Sequence, residues 1–454
     1  MSQIHTPGRG TGVERYQYRA IEFLREEKMS VTTDVTADSI RVLSLNCWGL
    51  RYLSKHRARR MAFIGDVIAK SDWEIVGLQE CWSYDDYKVI REKTKHLLPY
   101  GKFYFGGSIG AGLVIMSKWP IEQSSMFRYP LNGRPTAFFR GDFFVGKGVA
   151  SAMIKHESGH YIEVFCTHLH APYEAEPNDS YLCHRTAQAW EISKLLRGSV
   201  QKGHVTLALG DFNMIPDSFA HKLLRSYGHM ADSWLSVYPD TPAISPPTST
   251  PEHNTQVMGL TCDSALNTWR PDPPPNPKNL DPWAKRLDYI FHSPLTTSAT
   301  AARVCFMEKL PDLKCSPSDH FGIDVTIKLA PPEKISFPSF PKDLYDDILE
   351  LVDTYEKREE KQRFWRMAHF FIQIFVTIGI IIGSWWMPKA AALALWVATW
   401  LWGIGSTLDG IMGFCFFNTE IRALKEFREE IKMQKAKVER DEAAGEGELA
   451  DLRP

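Results

Sequence analysis

The sequence has almost no net charge. Its 53 Lys+Arg stand against 54 Asp+Glu, for a formal charge of -1. A duplex nucleic-acid binder usually carries a basic face, so this balance argues against that class while leaving a local basic patch open. It also lacks a C-x-x-C pair. The 8 cysteines, at 47, 81, 166, 183, 262, 305, 315 and 415, are scattered, which removes support for zinc and thiol-redox motifs. Several lie inside apolar runs such as "VFCTHL" and "ARVCFM", as small buried thiols in a reducing compartment do. The opening "MSQIHTPGRGTGVERYQYRA" has no apolar h-region, so no secretory signal is expected. No internal repeat stands out.

The 454 residues are too many for one ordinary core, and length alone allows two or three units or one large domain with appendages. Residues 1–38 read as a polar tail. From Ile40 onward, short apolar runs alternate with amphipathic stretches. "IRVLSLN", "WEIVGLQE", "GLVIMSK", "YIEVFCTHL", "VTLALGDFN", "RLDYIFH" and "FGIDVTIKL" have the Val, Ile, Leu and Phe content of buried strands. "SKHRARRMAFIGDVIAKSD" places Met61, Ile64, Val67 and Ile68 on one helical stripe, and "SYLCHRTAQAWEISKLLRGS" places Ala187, Trp190, Ile192 and Leu195 on another. The alternation predicts an α/β layered domain over 39–330. It is interrupted at 239–282 by a proline-rich insertion in which "GLTCDSALNTW" lies between two proline tracts; that position suggests an ordered, substrate-facing piece.

After the domain, 331–367 reads as a linker and a charged amphipathic helix, 368–417 as a membrane hairpin, and 418–454 as a charged tail. "AHFFIQIFVTIGIIIGSWWM" (368–387) has no acidic, Lys or Arg residue, and a second apolar run covers 390–410; each has about the length that crosses a hydrocarbon core. Gly379 and Gly383 form a G-x-x-x-G that would bring the two helices close. Asp409 is expected to mark the end of the second span rather than to pair within it. Lys and Arg crowd both flanks, and the connecting turn has only Lys389. The positive-inside rule then puts the domain and both termini in the cytosol. The flanking cations could also attract anionic lipids.

Polar residues cluster where apolar runs end: Asn46, Glu80, His168 with His170, Asp211 with Asn213, Asp288, and Asp319 with His320. Any one alone reads equally well as a cap, a turn or a core histidine. Together they suggest a site, because ligand sites in open α/β sheets gather beyond strand ends. Oxygen donors suit a hard cation such as Mg²⁺, and histidines suit proton transfer near neutral pH. This is the outline of metal-assisted hydrolysis at phosphorus.

"LNCWG", "LQE", "THLHA", "GDFN", "LDYIF" and "SDH", in that order, resemble the endonuclease/exonuclease/phosphatase superfamily. The resemblance implies a DNase I-like four-layer α/β sandwich followed by the two-helix transmembrane hairpin. "NCWGLRYLSKHRARRM", "THLHAPY", "HRTAQAWE" and the hairpin are more closely similar to neutral sphingomyelinases and the fungal inositol phosphosphingolipid phospholipases C. The resemblance implies a Mg²⁺-dependent phosphodiesterase that hydrolyses a membrane sphingolipid to ceramide. It makes Glu80 the main metal ligand, with Asn46 beside it and Asp319 supporting. It sets Asp211, Asn213 and His168 on the opposite wall, His320 as general base and Asp288 as its orienting carboxylate. In "GDFFVGKGVASAMI", Asp142 and Lys147 become a switch or substrate-loop pair, with a plain polar loop as the alternative. That segment lacks G-x-x-x-x-G-K-[ST], so nucleotide binding is unsupported. A phosphoinositide phosphatase, a nuclease of the same superfamily and an inactive membrane scaffold are the competing readings. The endoplasmic reticulum is the first expectation for location, with mitochondrial or other membranes as alternatives. Headgroup preference and oligomeric state are not legible.

Overall fold

The computed structural model describes residues 38–108, 110–137, 140–174, 179–270, 281–335, 338 and 340–444. The polar tail, part of the proline-rich insertion and the extreme C-terminus therefore lie outside the described residues. Among those described, twelve strands form two six-stranded sheets. In chain order they are β1 (Ser39–Asn46), β2 (Ile75–Gln79), β3 (Tyr100–Tyr104), β4 (Leu113–Ser117), β5 (Ile121–Arg128), β6 (Gly148–Lys155), β7 (Tyr161–His168), β8 (Val205–Asp211), β9 (Ala231–Asp232), β10 (Asp288–His292), β11 (Ser298–Cys305) and β12 (Gly322–Lys328). One sheet has the order β11-β12-β1-β2-β4-β3, the other β5-β6-β7-β8-β10-β9.

The helices that matter here are α1 (Arg57–Ala69), α2 (Tyr84–Thr94), α3 (Asp142–Val145), α4 (Leu182–Gln201), α5 (Lys342–Gly383), α6 (Lys389–Ile411) and α7 (Phe417–Ala444). Three cores make four layers. Between the sheets, Ile40, Val42, Ile75 and Ile115 meet Ala150, Val164, Leu207 and Ile290. On the outer face of the first sheet, Leu43, Leu45, Val76 and Leu78 pack with Met61, Ile64 and Ile68 of α1 and Ile90 of α2. On the outer face of the second, Phe165, Ala208 and Phe291 pack with Ala187, Trp190 and Leu196 of α4. Strands covered on both faces read as continuous apolar runs, which is why these were legible. Five strands were missed: β3, β5 and β11 are only partly buried, β9 has two residues, and buried β6 (GVASAMIK) is built largely of small residues that give no strong apolar run.

The C-terminal segments join this fold. Tyr345, Ile348 and Val352 of α5 and Leu424, Phe427 and Ile431 of α7 belong to the α4 core. The charged stretch after the hairpin is thus largely a helix docked on the domain. Its polar face is tied down as well: Trp190 Nε1 donates to Glu430, and His184 Nε2 lies 3.0 Å from Glu420 Oε1. Between them, α5 and α6 include two stretches long and apolar enough to cross a membrane, with mean hydropathy 1.9 and 1.4.

Two expectations about the hairpin are corrected. Gly379 has nothing near the position of a Cβ, so the G-x-x-x-G does not bring the helices together. The close approach is at the foot, where Gly410 receives the Phe370 ring and Gly413 the Met367 sulfur. Gly413 lies within a π-helical turn, Met412–Phe416. Asp409 does not simply end a span: it pairs with Arg366 and accepts from His369 Nδ1 at 2.8 Å. Such partners offset the cost of a carboxylate set beside apolar helix faces.

Candidate functional site

The strand register collects the polar residues at one end of the sandwich. β1 and β2 are parallel, with Asn46 opposite Gln79. β7 and β8 are parallel, with His168 opposite Asp211. β10 runs antiparallel and starts with Asp288 opposite Asp211. The two sheets are bridged by Asn46 Nδ2, which donates to Asp211 Oδ2 at 3.0 Å and points at Glu80 Oε1 at 3.4 Å. Glu80 follows β2 in a left-handed conformation, φ 55°, an uncommon state for a non-glycine residue that suits a functional position better than a regular one.

Asp211 is the hub. Its Oδ1 accepts from the Asn213 backbone N–H at 2.9 Å, and its Oδ2 lies 3.4 Å from His168 Nε2 and 3.9 Å from His320 Nε2. The "GDFN" segment is therefore an Asx turn that also presents two side chains to the site. Gly210 before it has φ 153°, and a Cβ there would sit 2.0 Å from the Thr167 carbonyl oxygen. Only glycine permits that approach of β7 to β8.

His320 Nδ1 lies 2.8 Å from Asp288 Oδ2. The same oxygen accepts from Thr261 Oγ1 at 2.6 Å. Thr261 belongs to "GLTCDSALNTW", so the ordered piece of the insertion sits under the His320–Asp288 pair. The segment is pinned to the chain before His320: Asn267 Nδ2 donates to Ser318 O at 3.0 Å, and Trp269 Nε1 to Ser316 O at 2.8 Å. Ser318 Oγ donates to Asn46 O at 2.6 Å, joining the Asp319–His320 turn to β1. Thr261 and Ser318 were missed from sequence. Their one signal was adjacency to segments already singled out.

Asp142 and Lys147 form a buried pair 3.1 Å apart. Lys147 Nζ also donates to Leu169 O at 2.8 Å, the carbonyl that accepts from Asn213 Nδ2 at 3.1 Å. Tyr173 donates to Asp142, and His170 Nε2 lies 3.7 Å away. The pair is thus one step from the site rather than in it. Against the opposing effect of burial, Lys147 holds the Asp142 carboxyl down at about 2.

Electrostatics make the site hungry for positive charge. Burial, then the negative charge of Asp319, raises Glu80 to about 7. Burial raises Asp319 too, and Asp211 to about 6. For His320, burial lowers the affinity for a proton, but Cys262, Asp288 and Asp211 outweigh it and push the imidazole well above its ordinary value. Cys262 is itself pushed up to about 11 by burial and stays a neutral thiol, so the carboxylates carry that effect. Burial, then Lys147, lowers His168, leaving a neutral ring. His168 Nδ1 and Asp288 Oδ1 are buried with no partner among the described residues.

Several recessed carboxylates with raised pKa values fit a hard divalent cation; Asn46 turns its NH₂ to Glu80 and Asp211 and its Oδ1 to the Trp48 N–H at 3.0 Å, so it would rotate to ligate one. Asp211, Asp288 and His320 can also bring one ligand atom each within 4.8 Å, but His320 and Asp288 already hold each other there. Glu80, whose proton affinity the Asp319 charge raises, could hold such an ion together with Asp319.

Comparison with known proteins matches residues 43–320 to the Endonuclease/Exonuclease/phosphatase family. The chain is 45% identical over 407 residues to inositol phosphosphingolipids phospholipase C of Schizosaccharomyces pombe, covering 88% of this chain and 95% of that one. It is 39% identical over 196 residues to sphingomyelin phosphodiesterase 2 of Homo sapiens, covering 43% and 46%. Among solved structures, sphingomyelinase C from Streptomyces griseocarneus aligns with TM-score 0.43 and 17% identity, over 63% of this chain and 99% of that one.

Proposed function

The chain belongs to the endonuclease/exonuclease/phosphatase family, and from that premise we propose that it is a phosphoric diester hydrolase of phospholipase C type, cleaving sphingophospholipids into ceramide and a phosphorylated headgroup. The observation that carries the reading is the convergence of the His320–Asp288 pair on the Asn46–Glu80–Asp211 group, with His320 Nε2 3.9 Å from Asp211 Oδ2. The 45% identity over nearly the whole S. pombe phospholipase C supports the substrate class.

In this reading Glu80, Asn46 and Asp319 hold Mg²⁺. The ion supplies Lewis-acid charge at a phosphoryl oxygen when bound. His320 Nε2 takes a proton from the attacking water while Nδ1–H stays on Asp288 Oδ2. The carboxylates favour the protonated ring and so stabilise the imidazolium that the transfer forms; a bound cation would offset part of that negative charge and leave the ring neutral before attack. The water oxygen forms the new P–O bond, the bond to the ceramide oxygen breaks opposite it, and ceramide leaves as an alkoxide that takes a proton from solvent water, while His320 returns its proton to solvent. The one N–H of neutral His168, at Nε2 beside Asp211 Oδ2, turns to an equatorial oxygen as charge develops there, while Asn213 Nδ2, held by Leu169 O and Asp211, keeps that wall in place. Asp211 orients Asn46, His168 and Asn213, and Asp142 and Lys147 shape the substrate side.

The domain spans 39–330, followed by a stem and a membrane hairpin, with the catalytic end and both termini cytosolic and the endoplasmic reticulum as the proposed membrane. The test is release of ceramide from sphingomyelin and from inositol phosphoceramide by the purified full chain with Mg²⁺. Activity on at least one lipid, lost in His320→Ala, is expected. No release from either would overturn the reading.

A further inference from the structure

The 50–55 loop has no role in the site, yet its construction is specific. Tyr52 is 89% exposed and Leu53 75%. Beneath them the loop is locked. Ser54 donates to Leu50 O through both N, at 3.0 Å, and Oγ, at 2.7 Å. The buried Arg60 guanidinium donates to Cys47 O at 3.0 Å, Trp48 O at 2.7 Å, Lys55 O at 2.8 Å and Pro317 O at 2.9 Å. Gly49 N donates to Glu80 O at 2.9 Å. A loop held this firmly does not need two large apolar side chains in water at its apex. Arg51, whose guanidinium lies 5.7 Å from the Tyr52 ring, and Lys55 are exposed beside them.

The loop's base is the site: Asn46 precedes it, and Glu80 binds it. The same end of the sandwich lies against the hairpin foot, since Phe143, next to Asp142, packs edge-on to Phe416 with ring centroids 5.5 Å apart. We propose that Tyr52 and Leu53 insert into the lipid surface of the membrane that the hairpin spans, with Arg51 and Lys55 on lipid phosphates. This combination of an apolar tip and flanking cations suits the headgroup boundary. The hairpin tethers the enzyme; the loop presses the cleft onto the leaflet, where a two-chain lipid's phosphodiester lies at headgroup depth. The proposal rests on the function above only for its substrate arm.

Two measurements test it on the full chain in phosphatidylcholine–sphingomyelin vesicles. A fluorophore on Leu53→Cys, in a Cys415→Ser background, is expected to be quenched by acyl-chain spin-labelled lipid and shielded from iodide. One on Glu157→Cys, at the other end of β7, stays open to iodide. Iodide quenching at 53 equal to that at 157, without lipid quenching, overturns the proposal. In the second, Leu53→Ser loses about tenfold in turnover on vesicles, the order expected for removing one buried apolar side chain, and none on a water-soluble short-chain substrate. Unchanged vesicle turnover, or equal loss in both arms, overturns it. If wild type cleaves neither substrate, the functional reading fails while the quenching result still decides the loop.

Discussion

Replacing Thr261 by valine keeps the shape of a buried side chain and removes one hydroxyl. That hydroxyl donates to Asp288 Oδ2 at 2.6 Å and accepts from the Leu287 and Asp288 N–H groups at 3.4 Å. Asp288 has no partner on Oδ1 among the described residues, so in Thr261→Val its carboxylate keeps only His320. A hydrogen bond to a charged group contributes about 1.5–3 kcal/mol. If that orientation is realised in the transition state, kcat falls roughly 10- to 100-fold with little change in KM. Steady-state kinetics on mixed micelles, beside a melting curve, separates this from unfolding. Thr261→Ser restores the donor and should recover most of kcat. Wild-type kcat in Thr261→Val, or a Ser variant as slow as Val, would refute the positioning role.

Chelation of divalent ions should abolish activity and Mg²⁺ restore it, with Glu80→Gln requiring more Mg²⁺ for half-maximal rate; a chelator-resistant enzyme would contradict the oxygen-donor site. Gly210→Ala places a Cβ 2.0 Å from Thr167 O and should cost roughly 3–5 kcal/mol, the range of severe core changes, seen as a large fall in melting temperature. Asp142 titrates at about 2 against an ordinary 3.8. Its stabilising contribution is present above the ordinary value and lost as pH falls toward 2, and is worth about 2 kcal/mol. Urea midpoints from pH 6 to pH 3 should therefore fall more steeply for wild type than for Asp142→Asn; parallel curves would remove the pair from the acid response.

Much of this was legible because two-sided burial writes an apolar run and the site writes a polar residue at its end. Asn46, Glu80, His168, Asp211, Asp288 and His320 each carried that signature, and the register brings them to one end of the sandwich. Thr261, Ser318 and Arg60 did not. They act through contacts with residues distant in sequence, and a lone threonine, serine or arginine has no local pattern to betray it. The hairpin misled for a related reason. G-x-x-x-G states that two helices can approach, but which glycines meet a partner depends on how the helices cross, and here Gly410 and Gly413 do. Asp409 read as a terminus because its partners Arg366 and His369 lie on the other helix.

The central claim is attack of water on phosphorus with His320 as base, and isotope placement tests it most directly. Hydrolysis in H₂¹⁸O by the purified full chain with Mg²⁺ should put one ¹⁸O in the phosphorylated headgroup and none in ceramide, at a rate that collapses in His320→Ala. Label in the ceramide hydroxyl, or undiminished turnover without His320, would contradict the account.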